Sequence, residues 1–225
     1  MMRGYKIFPL RLRNDWFINV SYLVVDGASG QAVLIDPAWQ PDRIRQAVRN
    51  TGCRVTGILL THAHADHTDL AGELSEEYRV PAYMSRVEID HYDFSCARLV
   101  PLHDRQTLEV GGTTITGLLT PGHTAGSMCF SLPGALFTGD TVFIEGCGLC
   151  NGPGGSPVDM FHSIQRIKRE IPGTTKIYPG HRYGRRPGAE LRELLMNNVY
   201  FTIDSAEEFV AFRTRENQSG LFDFR

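Results

Sequence analysis

The sequence predicts an α/β sandwich in which two mixed sheets pack together and helices cover the outer faces. Two observations carry this expectation. Short apolar runs separated by turn signals occur in two successive β-rich series, and each series ends in segments of helical periodicity. In addition, no repeat, low-complexity stretch or linker interrupts the chain, so one domain is expected over residues 1–225.

The first series opens with Tyr5 to Leu10, Phe17 to Val25 and Gln31 to Ile35, separated by Asn14-Asp15 and by Asp26-Gly27-Ala28-Ser29-Gly30, which reads as antiparallel strands joined by tight loops. Pro41 suits a first helical position, Ile44, Ala47 and Val48 follow at helical spacing, and Gly52 ends the helix. Arg54 to Thr61 is again strand-like, Leu70 to Tyr78 helical and Val80 to Met84 a strand. The second series comprises Thr107 to Val110, Thr113 to Leu119, Met128 to Leu132 and Ala135 to Phe137, punctuated by Gly111-Gly112, Pro121-Gly122 and Pro133-Gly134. Ser156, Pro157 and Asp159 start a helix whose apolar stripe is Val158, Phe161, Ile164 and Ile167. Lys176 to Pro179 is a short strand, Pro187 to Val199 is helical, and Ser205 with Glu208 caps a last helix through Phe209.

Composition narrows the class. Of 225 residues, 42% are hydrophobic and 21% charged, which excludes general disorder, and Lys+Arg 23 against Asp+Glu 25 leaves no dominant basic balance for nucleic acid. No apolar run reaches the roughly 18 residues of a membrane span, and the opening segment has no apolar core of a secretion signal, so no membrane partner and a cytoplasmic location are expected. Five sparsely placed cysteines do not resemble a disulfide framework, and reduced thiols are expected.

The chemistry concentrates in His62-x-His64-x-Asp66-His67, directly after a strand. Neutral imidazoles and carboxylates suit Zn²⁺, with bonds of about 2.0–2.2 Å. Alternation along an extended turn aims His62 and His64 the same way, while Asp66 and His67 begin a helix and face a neighbouring position, so one segment can serve two metals. His123, Asp140 and His181 each follow an apolar run and a glycine at a strand end, where the backbone can turn sharply into a cleft. His91, His103 and His162 fall outside this pattern, with His162 off the helical stripe and facing outward; Trp16 and Trp39 are expected to pack or to line a hydrophobic cleft.

These motifs resemble the metallo-β-lactamase fold superfamily, which implies an αββα sandwich with metals at one edge. The resemblance implies that His62, His64 and His123 hold one metal, that Asp66, His67 and His181 hold a second, and that Asp140 bridges them. It implies two divalent ions, zinc first with iron or manganese as alternatives, and Asp66 as the catalytic residue that orients water and takes its proton. Within the superfamily, Gly139-Asp140-Thr141-Val142-Phe143 through Gly146-Cys147-Gly148 and Tyr178-Pro179-Gly180-His181 resemble the glyoxalase II group, which implies thioester hydrolysis. Leu149, Cys150 and Asn151 replace the basic and aromatic residues that hold glutathione in that group. A similarity covering essentially the whole chain, including Asp36-Pro37-Ala38-Trp39, Gly154-Gly155-Ser156, Met160 to Gln165 and Phe209 to Arg213, is to the acyl hydrolases of trans-acyltransferase polyketide synthases. It implies acyl thioesters on acyl carrier protein as substrate. Arg182, Tyr183, Arg185 and Arg186 are expected to hold that substrate, through a phosphopantetheine phosphate or the acidic face of the carrier. Cys147 and Cys150 are expected to shape the pocket beside the metals. The alternatives are a hydroxyacylglutathione hydrolase and a mononuclear iron persulfide dioxygenase.

Overall fold

Successive side chains of a strand point to opposite faces of its sheet, and in this chain that alternation sorts three apolar layers. The computed structural model describes residues 4–216, which contain β1 (Tyr5–Arg13), β2 (Ile18–Asp26), β3 (Gln31–Ile35), α1 (Pro41–Thr51), β4 (Arg54–Leu59), α2 (Ala65–Thr68), α3 (Ala71–Tyr78), β5 (Ala82–Ser85), α4 (Arg86–Tyr92) and β6 (Leu99–Leu102). There follow β7 (Thr107–Val110), β8 (Thr113–Leu119), β9 (Met128–Leu132), β10 (Ala135–Gly139), α5 (Pro157–Glu170), β11 (Lys176–Pro179), α6 (Leu191–Asn197), α7 (Val199–Thr202) and α8 (Ala206–Arg213). The expected domain over 1–225 includes residues 1–3 and 217–225, which lie outside the described residues.

Six strands form one sheet in the order β1-β2-β3-β4-β5-β6, and five form a second in the order β11-β10-β9-β8-β7. The β1–β2 and β2–β3 pairs are antiparallel, as expected, whereas β3, β4, β5 and β6 run parallel. In the second sheet only the β10–β11 pair is parallel. Val20, Tyr22 and Val24 of β2 meet Met128, Phe130 and Phe137 between the sheets. Their odd-even neighbours face the other way: Leu23 and Leu34 pack with Ile44 of α1 and Leu74 of α3, while Cys129 and Leu136 pack with Met160 and Ile164 of α5. Each fully buried aromatic or aliphatic side chain contributes about 1.5–3 kcal/mol. The result is the expected αββα layering.

Two backbone bonds lace the sheets together at one edge. Val20 N donates to Gly180 O at 2.7 Å and Met128 N to Thr61 O at 2.9 Å, while Gly180 N donates to Gly139 O at 2.8 Å within the second sheet. The Tyr22 hydroxyl reaches across the core to Pro179 O at 2.6 Å.

Some local expectations change. Three elements have no counterpart among the expected ones: α4, β6 and α7, all short and without clear period. Val158 is 46% exposed, and Met160 takes its place on the buried face of α5. The expected helix over Pro187 to Val199 starts only at Leu191, because Gly188 N donates to Ile177 O and Ala189 O accepts from Ile177 N along the edge of β11. Gly188 makes that turn at φ +102°, a left-handed conformation that glycine adopts without strain. Asn198 then interrupts the helix: its backbone is extended and its side chain accepts from Tyr200 N, capping α7.

Candidate metal centre and cavity

The candidate ligands stand on loops at the laced edge. β4 delivers the chain through Leu60-Thr61 to His62, and His64 is still extended, with ψ 143°, before α2 begins at Ala65. Asp66 and His67 are therefore helical and face a different position from His62 and His64. His123 follows β8, Asp140 follows β10 and His181 follows β11. At Gly180 a side chain is excluded, since a Cβ would lie 2.4 Å from His67 Cε1 and 2.8 Å from Asp140 Oδ1.

The structure brings all seven together. His62 Nε2 and His64 Nδ1 are 3.1 Å apart, and His123 Nε2 is 3.0 Å from the same His64 nitrogen. His67 Nε2 and His181 Nε2 are 3.3 Å apart, and Asp66 Oδ2 lies 3.1 Å from His181 Nε2 and 3.6 Å from His67 Nε2. Tetrahedral coordination with bonds of about 2.0–2.1 Å separates neighbouring donors by roughly 3.3 Å, so both groups have the span of one ion's ligands. Asp140 stands between them, with Oδ2 3.7 Å from His123 Nε2 and 3.4 Å from His181 Nε2, and Oδ1 3.5 Å from His67 Nε2.

Two observations show that the donors fit a cation. Asp140 Oδ1 is buried with no hydrogen-bond partner among the described residues, a costly position for a carboxylate oxygen. Moreover, the outer nitrogens are already committed: Nδ1 of His67 donates to Asp36 Oδ2 at 2.9 Å, Nδ1 of His123 to Leu149 O at 2.7 Å, and Nδ1 of His181 to Ile18 O at 2.7 Å. That fixes the tautomer and leaves each Nε2 lone pair aimed inward, the arrangement by which outer partners orient metal-binding histidines.

Burial pushes His62 and His64 below the ordinary imidazole range and takes His123 down to about 4, against the pull of Asp140, so the first triad favours the neutral, ligating form. Burial also works against charge on His67, yet Asp66, Asp140 and Asp36 outweigh it and push His67 up to about 10. Asp66 itself is raised by burial but held below the usual carboxylate range by His67 and His181. The second triad thus sits in a strongly negative field.

Two carboxylates that the sequence reading gave no role organise these loops. Asp36, at φ +49°, accepts from Thr61 N at 2.8 Å and Thr61 Oγ1 at 2.7 Å in addition to His67. Its signal was a carboxylate at the end of an apolar strand. Glu88 is fully buried and accepts from Ala63 N and Gly126 N, each at 2.8 Å, joining the loop that carries His62 and His64 to the one that carries His123. Nothing local marks it.

A cavity of about 740 Å³ opens onto His64, Asp66, His123, Asp140 and His181. Of the residues expected to hold substrate, Tyr183 lines it, stacked on Phe143 with centroids 6.1 Å apart, while Arg182, Arg185 and Arg186 do not. Arg185 instead pairs with Glu193 at 2.7 Å. Arg213 and Arg215, which the sequence reading did not single out, line the cavity. Trp39 lines it too, whereas Trp16 is 86% exposed. Cys147 lines the cavity and Cys150 lies buried close by; all five cysteines are free. Burial pushes both thiols up, Cys150 to about 11, so neither is a ready thiolate. His91, His103 and His162 are exposed and belong to neither donor group nor the cavity lining.

The model of the metallo-beta-lactamase superfamily matches residues 14–181. Over 225 residues, all of both chains, the sequence is 47% identical to the probable polyketide biosynthesis zinc-dependent hydrolase BaeB of Bacillus velezensis. It is 44% identical over 221 residues, 98% of each chain, to the probable polyketide biosynthesis zinc-dependent hydrolase PksB of Bacillus subtilis. The crystal structure of ETHE1 from Myxococcus xanthus is similar with a TM-score of 0.83 at 30% identity, covering 96% of this chain and 95% of that one. With its divalent-metal donor set at the edge of an αββα sandwich, the chain belongs to the metallo-beta-lactamase superfamily.

Proposed function

We propose that the chain is a dinuclear zinc hydrolase of acyl thioesters that releases acyl groups from acyl carrier protein in polyketide biosynthesis. The observation that carries this reading is the pair of three-donor groups, His62-His64-His123 and Asp66-His67-His181, with Asp140 between them, all at the floor of one cavity. The names of the two bacillus relatives support the pathway and the metal.

When bound, the two ions supply Lewis acidity and make water acidic enough to ionise near neutral pH. Asp66 lines the cavity beside His181 and, with Oδ2 among the donors, its carboxylate can orient the attacking water and accept its proton. Asp140, with Oδ2 between His123 and His181 and Oδ1 toward His67, keeps the two sets of donors in a fixed relation. The Asp36–Thr61–His67 bonds and the Glu88 clamp hold the donors in place before substrate arrives. A thiolate leaves without prior protonation, so the reaction does not demand a strong general acid.

The test offers purified protein an acyl carrier protein thioester, an acylglutathione and an acyl-cysteamine in parallel, with metal content measured on the same sample. Fastest thiol release from the carrier, lost when metal is removed, is the expected result. A clear preference for acylglutathione refutes the carrier assignment, and activity that survives complete metal removal refutes the metallohydrolase.

A further inference from the structure

Phe17 and Trp39 line the cavity on the side of one donor group, and Arg213 and Arg215 line it on the side of the other. Beside Asp66, His67 and His181 the wall is aromatic. Phe17 stacks on Trp39 with ring centroids 6.5 Å apart at 27°. Phe17 directly precedes Ile18, whose carbonyl holds His181, and Trp39 N donates to Asp69 Oδ2 just beyond α2. Beside His123 the wall is Gly148-Leu149 followed by arginine: Leu149 O holds His123 Nδ1, and the adjoining Gly148 O accepts from Arg213 Nε at 3.0 Å. Arg213 is only 5% exposed, with its guanidinium 5.9 Å from the Tyr200 ring centroid. Arg215 is exposed and lies 3.9 Å over Phe212.

A thioester presents two arms that diverge from the reacting carbon. One is an acyl chain; the other, on sulfur, is the thiol carrier. The uncharged wall of Phe17 and Trp39 suits the acyl chain. The two guanidinium groups, seated on Tyr200 and Phe212, suit an anionic group on the thiol side, since arginine stays charged and matches phosphate oxygens with a planar fork. A cavity of about 740 Å³ is in the range of small-molecule sites.

We infer that Arg213 and Arg215 form a subsite for the phosphate of a pantetheine thiol arm, which runs from the metal centre past Leu149 while the acyl chain lies toward Phe17 and Trp39. The inference rests on the thioester-hydrolase reading and gives its substrate a direction. Arg213, at the buried wall, acts where charge is weakly screened; Arg215, at the rim, meets the arm where it leaves the protein.

The experiment compares kcat/KM of the metal-loaded enzyme on one acyl group carried by pantetheine and by 4′-phosphopantetheine, with acyl-cysteamine as the truncated reference. Wild type is expected to prefer the phosphorylated arm by about tenfold, a modest value for a charge-assisted contact. Arg213→Met removes a buried hydrogen bond and can impair folding, so Arg215→Glu, at the exposed rim, is the deciding variant. It is expected to bring the phosphorylated-to-unphosphorylated ratio to about one or below. Acyl-coenzyme A carries a phosphate at the same place on the arm within a diphosphate, and acyl carrier protein carries it as a phosphodiester, so both must lose rate in this variant; the one that wild type turns over with higher kcat/KM is the source of the arm. A wild-type ratio near one, or an unchanged ratio in Arg215→Glu, overturns the inference while leaving the hydrolase intact. Failure to cleave any thioester overturns the hydrolase reading and the inference with it.

Discussion

Replacing Glu88 by glutamine changes one oxygen into an amide nitrogen at the point where two ligand loops meet. Glu88 accepts from Ala63 N, which lies between His62 and His64, and from Gly126 N, three residues after His123, each at 2.8 Å. It is held there by Ser85, whose hydroxyl accepts from Glu88 N at 3.0 Å and donates to Gly126 O at 2.6 Å. In Glu88→Gln the amide oxygen can keep one backbone donor, but the amide nitrogen then faces the other, and a buried N–H loses its partner at a cost of about 1–3 kcal/mol. Removing a buried charge offsets part of this, since burial already pushes the Glu88 carboxyl above its ordinary range. A net loss of up to about 2 kcal/mol at roughly 2–4 °C per kcal/mol lowers the melting temperature of the metal-free protein by up to about 8 °C. Because the loops carry all three donors of one group, its metal affinity should fall by about 10–100-fold, the usual effect of losing an outer partner. The Asp66-His67-His181 group depends less on this clamp, because Asp36 holds His67 and Ile18 O holds His181 independently of it. Chelator competition should therefore show selective loss of one ion while the other is retained. Undiminished affinity for both ions, or equal loss of both from a folded protein, refutes the reasoning.

Three further outcomes follow from the same geometry. Asp140→Ala should lower metal content and activity together, because one carboxylate faces both donor groups; unchanged metal content by elemental analysis refutes the bridging role. Asp66→Asn should reduce kcat by orders of magnitude with a smaller change in KM, the signature of a group that acts in the chemical step, and near-normal turnover refutes it. Asp26 is held down at about 2 by the Ser29 hydroxyl and amide and by Thr113. A depressed carboxyl adds stability that is present above its unfolded value of about 3.9 and lost as pH falls toward 2. Asp26→Asn should therefore flatten the stability curve in that window, and an acid limb of unchanged slope in denaturant titrations refutes the assignment.

What the sequence determined is what local physics encodes. Short apolar runs such as Gln31 to Ile35 and Met128 to Leu132, the Pro41 and Ser156 helix starts and the Gly52 stop all act within a few residues, and the structure keeps them. The cluster His62-x-His64-x-Asp66-His67 belongs to the same class, because a strand end followed by a helix start already separates the two directions in which its donors point. Elements without a period of their own, α4 and β6, were silent; they form because β5 and β6 complete a parallel sheet and α4 is capped by Ser85. Tertiary structure alone decided which distant groups share the cavity. Arg182, Arg185 and Arg186 follow His181 in sequence but lie outside the cavity, while Arg213 and Arg215 are carried to it by α8 packing on α5. Glu88 and Asp36 likewise gain their roles only when other loops present N–H groups to them. A backbone hydrogen-bond donor leaves no trace in the side-chain pattern, so the partner of a buried carboxylate is invisible until the two sheets close and bring the loops within about 3 Å.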